Sequence, residues 1–317
     1  LKYSIGIEEK SIDDLPKNEV LIRVHFSSLN YKDGLSSTGD KTVTRHYPHT
    51  PGIDAAGIVE KSNNKNFKSG DQVIVISNDL GANTPGGYGQ YICVPSSWVM
   101  PLPKGLTLKE SMIYGTAGFT AALAVFLLKK NQVKPENGPV LVTGATGGVG
   151  SVAVSILSNL GYEVIASTGK KESELFLHKL GASKVIRRDE LVDEMNRTLL
   201  KEHWSGALDT VGGKTLETVL KSCKKRGVVI SSGLVSSPKI SMTVFPFILR
   251  GISLIGTGAS ETSIEVKNQI WLNLAKGWKL NNFDLISKNC KLEELEIEIQ
   301  KILNGQQQGR IVVDLRN

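Results

Sequence analysis

From Val20 to Phe26 apolar and polar positions alternate: Val20, Ile22, Val24 and Phe26 fall on one face, Arg23 and His25 on the other. That period of two predicts a half-buried strand. Ile53–Val59, Asp71–Ser77 and Tyr91–Pro95 give three more short strands, separated by turn-forming runs at Ser62–Asn66, Lys68–Asp71 and Thr84–Gly87. Short strands so punctuated predict a compact antiparallel barrel over the first hundred residues. The pattern changes near residue 115. Gly118–Leu128 is rich in Ala and Leu and predicts a helix. From Gly138 onward apolar runs at Val140–Thr143, Val164–Ser167, Val185–Ile186, Ala207–Val211, Gly227–Ser231 and Ile252–Gly256 predict strands. Helices are expected between the first three, at Val149–Leu160 before Gly161 and at about Glu172–Leu180 before Gly181. Uniformly apolar strands alternating with helices predict a parallel sheet covered on both faces. Amphipathic helices at Ile264–Leu274 and Leu292–Leu303 follow. A short strand, Arg310–Asp314, is expected to return to the first domain.

The length of 317 residues suits two domains, and 40% hydrophobic with 22% charged residues is ordinary globular composition. The formal charge of +7 is spread along the chain, with pairs such as Lys129–Lys130 and Lys224–Lys225 but no basic block with interleaved aromatics. No nucleic-acid partner is expected, and the balance is compatible with small polyphosphate ligands. No apolar run approaches the ~18 residues of a membrane helix, so no membrane partner is expected. The opening Leu1–Glu9 stretch has acids early and no apolar core, which does not read as a secretory signal. Three cysteines, Cys93, Cys223 and Cys290, are too far apart for a disulfide framework or a CxxC metal knuckle, and suit a reducing, cytoplasmic location.

The most specific motif is Val142-Thr-Gly-Ala-Thr-Gly-Gly-Val-Gly150, between an apolar strand and a helix. Thr146, Gly147, Gly148, Val149 and Gly150 are the expected phosphate cradle. Gly147 allows backbone to approach a diphosphate, Gly150 allows the helix to close on the strand, and the helix N-terminus offers unpaired N–H groups. Ala145 replaces the first glycine of the usual GxGxxG pattern, and the same loop would also serve a tight strand–helix turn with no ligand. An NAD site wants an acid about twenty residues later, at the end of the second strand. Here that end reads Ala166-Ser-Thr-Gly-Lys-Lys171, with no acid before Glu172. Hydroxyls and an ammonium would bind a 2′-phosphate that a carboxylate would repel. The expected cofactor is therefore NADPH, with Ser167, Thr168 and Lys170 as contacts. The alternative leaves Lys170 and Lys171 as solvated residues entering a helix.

Together the segments Leu29–Gly34, Tyr47–Gly57, Gly115–Ala122, the glycine loop and Pro246–Gly256 resemble the medium-chain dehydrogenase/reductase superfamily over essentially the whole chain. The resemblance is to the zinc-free quinone oxidoreductase branch, and within it to the acrylyl-CoA reductase family of the YhdH/AcuI type. It implies an α/β protein with a GroES-like β-barrel catalytic domain (1–118 and 256–317) and a Rossmann, doubly wound parallel-sheet domain that binds NADPH (119–255). Zinc-dependent members carry a Cys in the segment matching Ser28–Asp33 and a His–Glu pair in that matching Ile53–Gly57. This chain has Asn30 and Asp54 there. His46 and His49 lack a third ligand, so no metal is expected.

Without a Lewis acid, the expected chemistry is hydride transfer to an acceptor that needs little activation: the C=C bond of a short α,β-unsaturated acyl-CoA such as acryloyl-CoA, or a quinone. Charge then develops on the acceptor oxygen and calls for a hydrogen-bond donor and a proton source. Tyr31 is the expected donor, with Asn30 and Asp33 shaping the nicotinamide end. These residues would equally serve as a helix cap and a packed aromatic. The resemblance places Thr120 beside the cofactor. Ser232, Gly233 and Leu234 follow a sheet strand at the edge where open α/β sheets bind ligands, and Thr257 follows the next. Arg250 would meet a CoA phosphate, a partner subunit or a surface acid. A homodimer is implied by analogy with the superfamily. A third reading, an NADPH-binding regulator or structural protein without turnover, is disfavoured by the polar cluster at Asn30–Asp33.

Overall fold

The computed structural model describes residues 3–316; positions 1, 2 and 317, at the ends of the expected first domain, lie outside them. The chain begins with β1 (Val20–Ser28), α1 (Tyr31–Ser37), β2 (Asp54–Ser62), β3 (Gln72–Ile76), β4 (Tyr91–Val94) and β5 (Val99–Pro101). It passes through the long α2 (Leu108–Lys130) into β6 (Val140–Val142), α3 (Gly148–Asn159), β7 (Val164–Thr168), α4 (Glu174–Lys179), β8 (Lys184–Arg187) and β9 (Trp204–Asp209). Next come α5 (Gly213–Lys221), β10 (Cys223–Ser231), α6 (Phe245–Arg250), β11 (Ser253–Gly256) and α7 (Ile264–Leu274). The last elements are α8 (Phe283–Ile286), β12 (Ser287–Lys291), α9 (Leu295–Leu303) and β13 (Arg310–Asp314). The chain divides into two compact units, one up to Ala117 and again from Asn282, the other Gly118–Asn281.

In the first unit β1 is the organising strand. Its Val20, Ile22, Val24 and Phe26 are buried as the alternation requires, at 0, 1, 2 and 6% exposure. One edge pairs antiparallel with β2. The other is shared: Val20–Arg23 pairs with β4, and Phe26–Ser28 with β13, which does return from the C-terminus. The seven-stranded sheet continues from β2 to β3 and β5, and from β13 to β12. Neither β5, three residues long, nor the mostly exposed β12 has a marked sequence pattern.

The second unit is a six-stranded, wholly parallel sheet in the order β11-β10-β9-β6-β7-β8. From the other edge this is the doubly wound order 3-2-1-4-5-6, whose direction of winding reverses between β6 and β9. Residues 256–281, expected with the first domain, cluster with this unit instead. The reason is α7: Trp271 is 1% exposed and stacks on Phe119 of α2, ring centroids 6.3 Å apart. That helix also corrects the membrane argument. By length and composition α2 is apolar enough to cross a bilayer, but 83% of its most apolar window is buried inside the protein.

Candidate active site

The phosphate-type loop lies at the point where the winding reverses. Thr143, just after β6, donates from Oγ1 to Oδ1 of Asp209, the last residue of β9, at 2.7 Å, so the two central strand ends are tied together. Gly144 turns with φ +58, Gly147 caps α3, and the first helical bond runs from Ser151 N to Gly147 O at 2.9 Å. The N–H groups of Gly148, Val149 and Gly150 precede that bond and have no intrahelical acceptor. Gly150 packs as expected: a methyl there would fall on the carbonyl oxygen of Gly144 and lie 2.7 Å from the Cα of Ala145. Ala145, in place of a glycine, is fully buried, with its N–H on the Ser167 carbonyl at 3.0 Å.

The end of β7 comes to the same place. Thr168 Oγ1 is 3.4 Å from Thr146 Oγ1 and accepts from the Lys170 N–H at 3.0 Å. Ser167 and Thr168 are 1 and 6% exposed. Burial pulls the Lys170 ammonium below the usual lysine range; Glu172 works against that shift and Arg188 with it. Arg188 carries no motif in the sequence. It enters from the turn after β8, and its guanidinium lies over Gly169, where a methyl would be 3.1 Å from Nη2. Two cations thus flank the end of β7, where an NAD site would place a carboxylate.

Ser232, Gly233, Leu234 and Thr257 share a surface depression of about 320 Å³ with the Gly212–Gly213 turn. Gly233 is there for space, because a methyl would meet the Thr210 carbonyl carbon at 2.9 Å. Thr120 is buried in α2 at 8% exposure. Arg250 is not presented to a ligand: its guanidinium donates to the carbonyls of Lys221, Cys223 and Leu200 at 2.7, 3.2 and 2.6 Å, and its Nε faces Glu202 at 3.4 Å.

In the first unit the Asn30–Asp33 segment caps α1. Asn30 N donates to Asp33 Oδ2 at 2.8 Å, and Asp33 Oδ1 accepts from Gly52 N and Ile53 N at 3.2 and 2.9 Å. Asp33 is fully buried and Asn30 is 7% exposed. Both ends of the Asn30 amide are engaged within the unit: Nδ2 donates to Asp54 Oδ2 at 2.8 Å, and Oδ1 accepts from Arg310 at 3.4 Å. Asp54, also fully buried, further accepts from Ser28 Oγ at 2.5 Å and from the N–H and Oγ1 of Thr116 at 2.9 and 2.5 Å. Tyr31 differs from all of these. It is 45% exposed, on the first residue of α1.

Gly115, inside α2, has φ +50 and ψ −156 because a side chain there would collide with Asp54 and Ser28. The sequence signal was a glycine inside an Ala-rich helix; the signal for Arg310 was one cation opening an apolar strand. Burial, then the negative Asp54, pushes the Asp33 carboxyl up to about 7, against hydrogen bonds from Asn30, Ile53 and Tyr88. The folded state therefore holds a proton that the unfolded chain releases near pH 4, so this group's contribution to stability falls as pH rises from about 4 to about 7 and is level above that. In Asp33→Asn the unfolding free energy, measured by urea titration across pH 4–8, is expected to lose that decline relative to the native chain. Identical slopes for the two proteins would contradict it.

Two family models match the chain: that of the alcohol dehydrogenase GroES-like domain over residues 16–104, and that of the zinc-binding dehydrogenases over residues 148–272. The donors for a zinc ion do not fit, because no three His, Cys, Asp or Glu side chains gather at ligating separation among the described residues. The putative quinone oxidoreductase YhfP of Bacillus subtilis is 45% identical over 98% of this chain and 95% of its own. Its crystal structure with NAD bound superposes with a TM-score of 0.95. The acrylyl-CoA reductase AcuI of Ruegeria pomeroyi is 41% identical over 99% of this chain and 95% of its own. The yhdH oxidoreductase of Salmonella enterica, solved in complex with NADP, is 38% identical with a TM-score of 0.97, covering 99% of this chain and 97% of that one. The chain belongs to the medium-chain dehydrogenase/reductase superfamily, in its quinone oxidoreductase and acrylyl-CoA reductase branch of the YhdH/AcuI type.

Proposed function

We propose that this chain is an NADPH-dependent reductase that saturates the C=C bond of a short α,β-unsaturated acyl-CoA such as acryloyl-CoA. The observation that carries the reading is the pairing of a free helix N-terminus at Gly147–Gly150 with a β7 end that bears hydroxyls and two cations and no carboxylate. The N–H groups of Gly148, Val149 and Gly150 hold the diphosphate. Ser167, Thr168 and Lys170 hold the 2′-phosphate, joined by Arg188, and Ser232, Gly233, Leu234, Thr257 and Thr120 hold the nicotinamide half. Bound there, NADPH supplies a hydride to the β-carbon of the acceptor. The Tyr31 hydroxyl donates a hydrogen bond to the thioester oxygen, where charge develops, and passes a proton to the α-carbon. Asn30 and Asp33 serve by holding the turn that presents Tyr31.

The likeness to AcuI supports the acyl-CoA acceptor. The likeness to YhfP, at higher identity, supports a quinone acceptor as the second reading. Three unpaired cysteines support a reducing, cytoplasmic setting.

We propose further that the partner of this chain is a second copy of itself. Among the described residues edge strand β11 pairs with β10 alone, and at α6, just before it in the chain, Val244, Phe245, Ile248 and Leu249 are 62, 46, 71 and 58% exposed. An open edge flanked by apolar side chains is covered in stable proteins, and pairing β11 with its own copy across a two-fold axis would extend the sheet and bury this face.

Four tests follow from this reading. Lys170→Ala and Arg188→Ala are each expected to weaken NADPH binding by about 1.5–3 kcal/mol, the worth of a charge-assisted bond, and to leave NADH binding nearly unchanged. Equal losses for both nucleotides, read by fluorescence titration, would remove the 2′-phosphate assignment. Tyr31→Phe should lower kcat for acryloyl-CoA by about 100-fold with NADPH affinity intact. Turnover assays run side by side with acryloyl-CoA and a small quinone decide the acceptor, and absence of both activities would return the chain to a non-catalytic NADPH binder. Ile248→Asp is expected to give a folded monomer in sedimentation velocity, where the native chain sediments as a dimer; a native chain that is monomeric at every concentration would refute the pairing.

A further inference from the structure

Arg310 opens β13 at 2% exposure, ahead of the apolar run Ile311–Val313. An apolar residue would serve the strand as well, since replacing a buried charge by a hydrophobic side chain is often neutral or stabilising. The guanidinium does what such a residue cannot. Its Nε donates to the carbonyl of Ile113 at 3.0 Å, two residues before the Gly115 turn. Its Nη1 donates to the carbonyl of Leu29 at 3.1 Å and reaches Asn30 Oδ1 at 3.4 Å. A residue near the C-terminus thereby ties down the two residues that precede Tyr31, 280 positions away in sequence from Asn30.

The far end of the Asn30 amide is gripped by Asp54 Oδ2 at 2.8 Å. An amide held at both ends has one orientation, and it fixes where the chain turns into α1. Tyr31 follows at once, its side chain 45% exposed and its hydroxyl bonded to nothing among the described residues. With no side-chain hydrogen bond to hold it, the hydroxyl starts from wherever the backbone of α1 puts it, and its rotamers do the rest. Nη2 of Arg310 has no hydrogen-bond partner among the described residues, so its three hydrogen bonds all run toward Ile113 and the Leu29–Asn30 turn, beside the charges of Asp54 and Asp33.

We propose that Arg310 is a positioning residue for Tyr31, fixing through the Leu29 carbonyl and the Asn30 amide the point from which the tyrosine hydroxyl meets the acceptor. The inference rests on the donor role proposed above for Tyr31. Lysine does not substitute, because one ammonium cannot reproduce the planar fork that reaches three acceptors on two segments.

The experiment compares kcat and KM for acryloyl-CoA, and NADPH affinity, in Arg310→Lys, Tyr31→Phe and the double variant. Arg310→Lys is expected to lower kcat by about 10- to 100-fold, as a misplaced catalytic group does, with NADPH affinity unchanged. In the Tyr31→Phe background the same change should cost no more than about twofold, because the group it positions is already gone. If Tyr31→Phe is impaired and the losses multiply, Arg310 acts independently and the proposal is overturned while the donor role stands. If Tyr31→Phe is fully active, the donor role falls and the proposal with it. Arg310→Ala supplies a second arm: millimolar guanidinium ion is expected to restore its kcat but not that of Arg310→Ala/Tyr31→Phe. Restoration of both, or of neither, overturns the proposal.

Discussion

Asp54 carries a carboxylate into a place fully shielded from solvent, and the groups that satisfy it come from three other elements of the unit. Ser28 closes β1, Asn30 caps α1, and Thr116 follows the turn in α2, with Asp54 itself at the start of β2. A buried carboxylate is costly unless its lone pairs are filled. Each donor is therefore obliged to be where it is. Gly115 must lack a side chain, because a methyl there would occupy the space between Asp54, Ser28 and Arg310. The turn in α2, the cap of α1 and the docking of β13 all converge on one buried charge.

The same charge accounts for the state of its neighbours. Asp33 shares the buried region with Asp54, and one guanidinium stands against two carboxyls. Burial and the charge of Asp54 raise the Asp33 carboxyl, and burial pulls Arg310 down while both acids hold it up. Tyr88, facing Asp33, is raised well above the ordinary tyrosine value by burial first. Tyr31, by contrast, stays accessible on this internally satisfied frame, which suits a group that must donate to a ligand.

The second unit solves a different problem. Its parallel sheet puts β6 and β9 side by side with their ends joined by Thr143 and Asp209, and leaves the α3 N-terminus beyond them. Because the strands on either side wind away in opposite directions, no helix covers that point. The hydroxyls of Thr146 and Thr168 meet there, and Lys170 and Arg188 stand beyond them.

Much of this was legible in the linear sequence. The alternation at Val20–Phe26, the apolar runs of the sheet and the glycines of residues 144–150 each depend on interactions within a few residues, and the structure keeps nearly all of them. The choice of hydroxyls and a lysine at the end of β7 was readable for the same reason: the loop, the helix and the next strand are neighbours in sequence. What lay beyond reach was whatever depends on residues far apart. Arg188 gives no local sign that it folds over Gly169. Residues 256–281 joined the second unit because Trp271 found Phe119. Asn30 and Asp33 read as polar side chains free to face a ligand, whereas Asp54 and Arg310, one 24 and the other 280 positions from Asn30, had already engaged the amide. Periodicity and turn chemistry are local and so are written in order along the chain. The satisfaction of a buried charge is a sum over partners from everywhere, and only the folded arrangement assigns them.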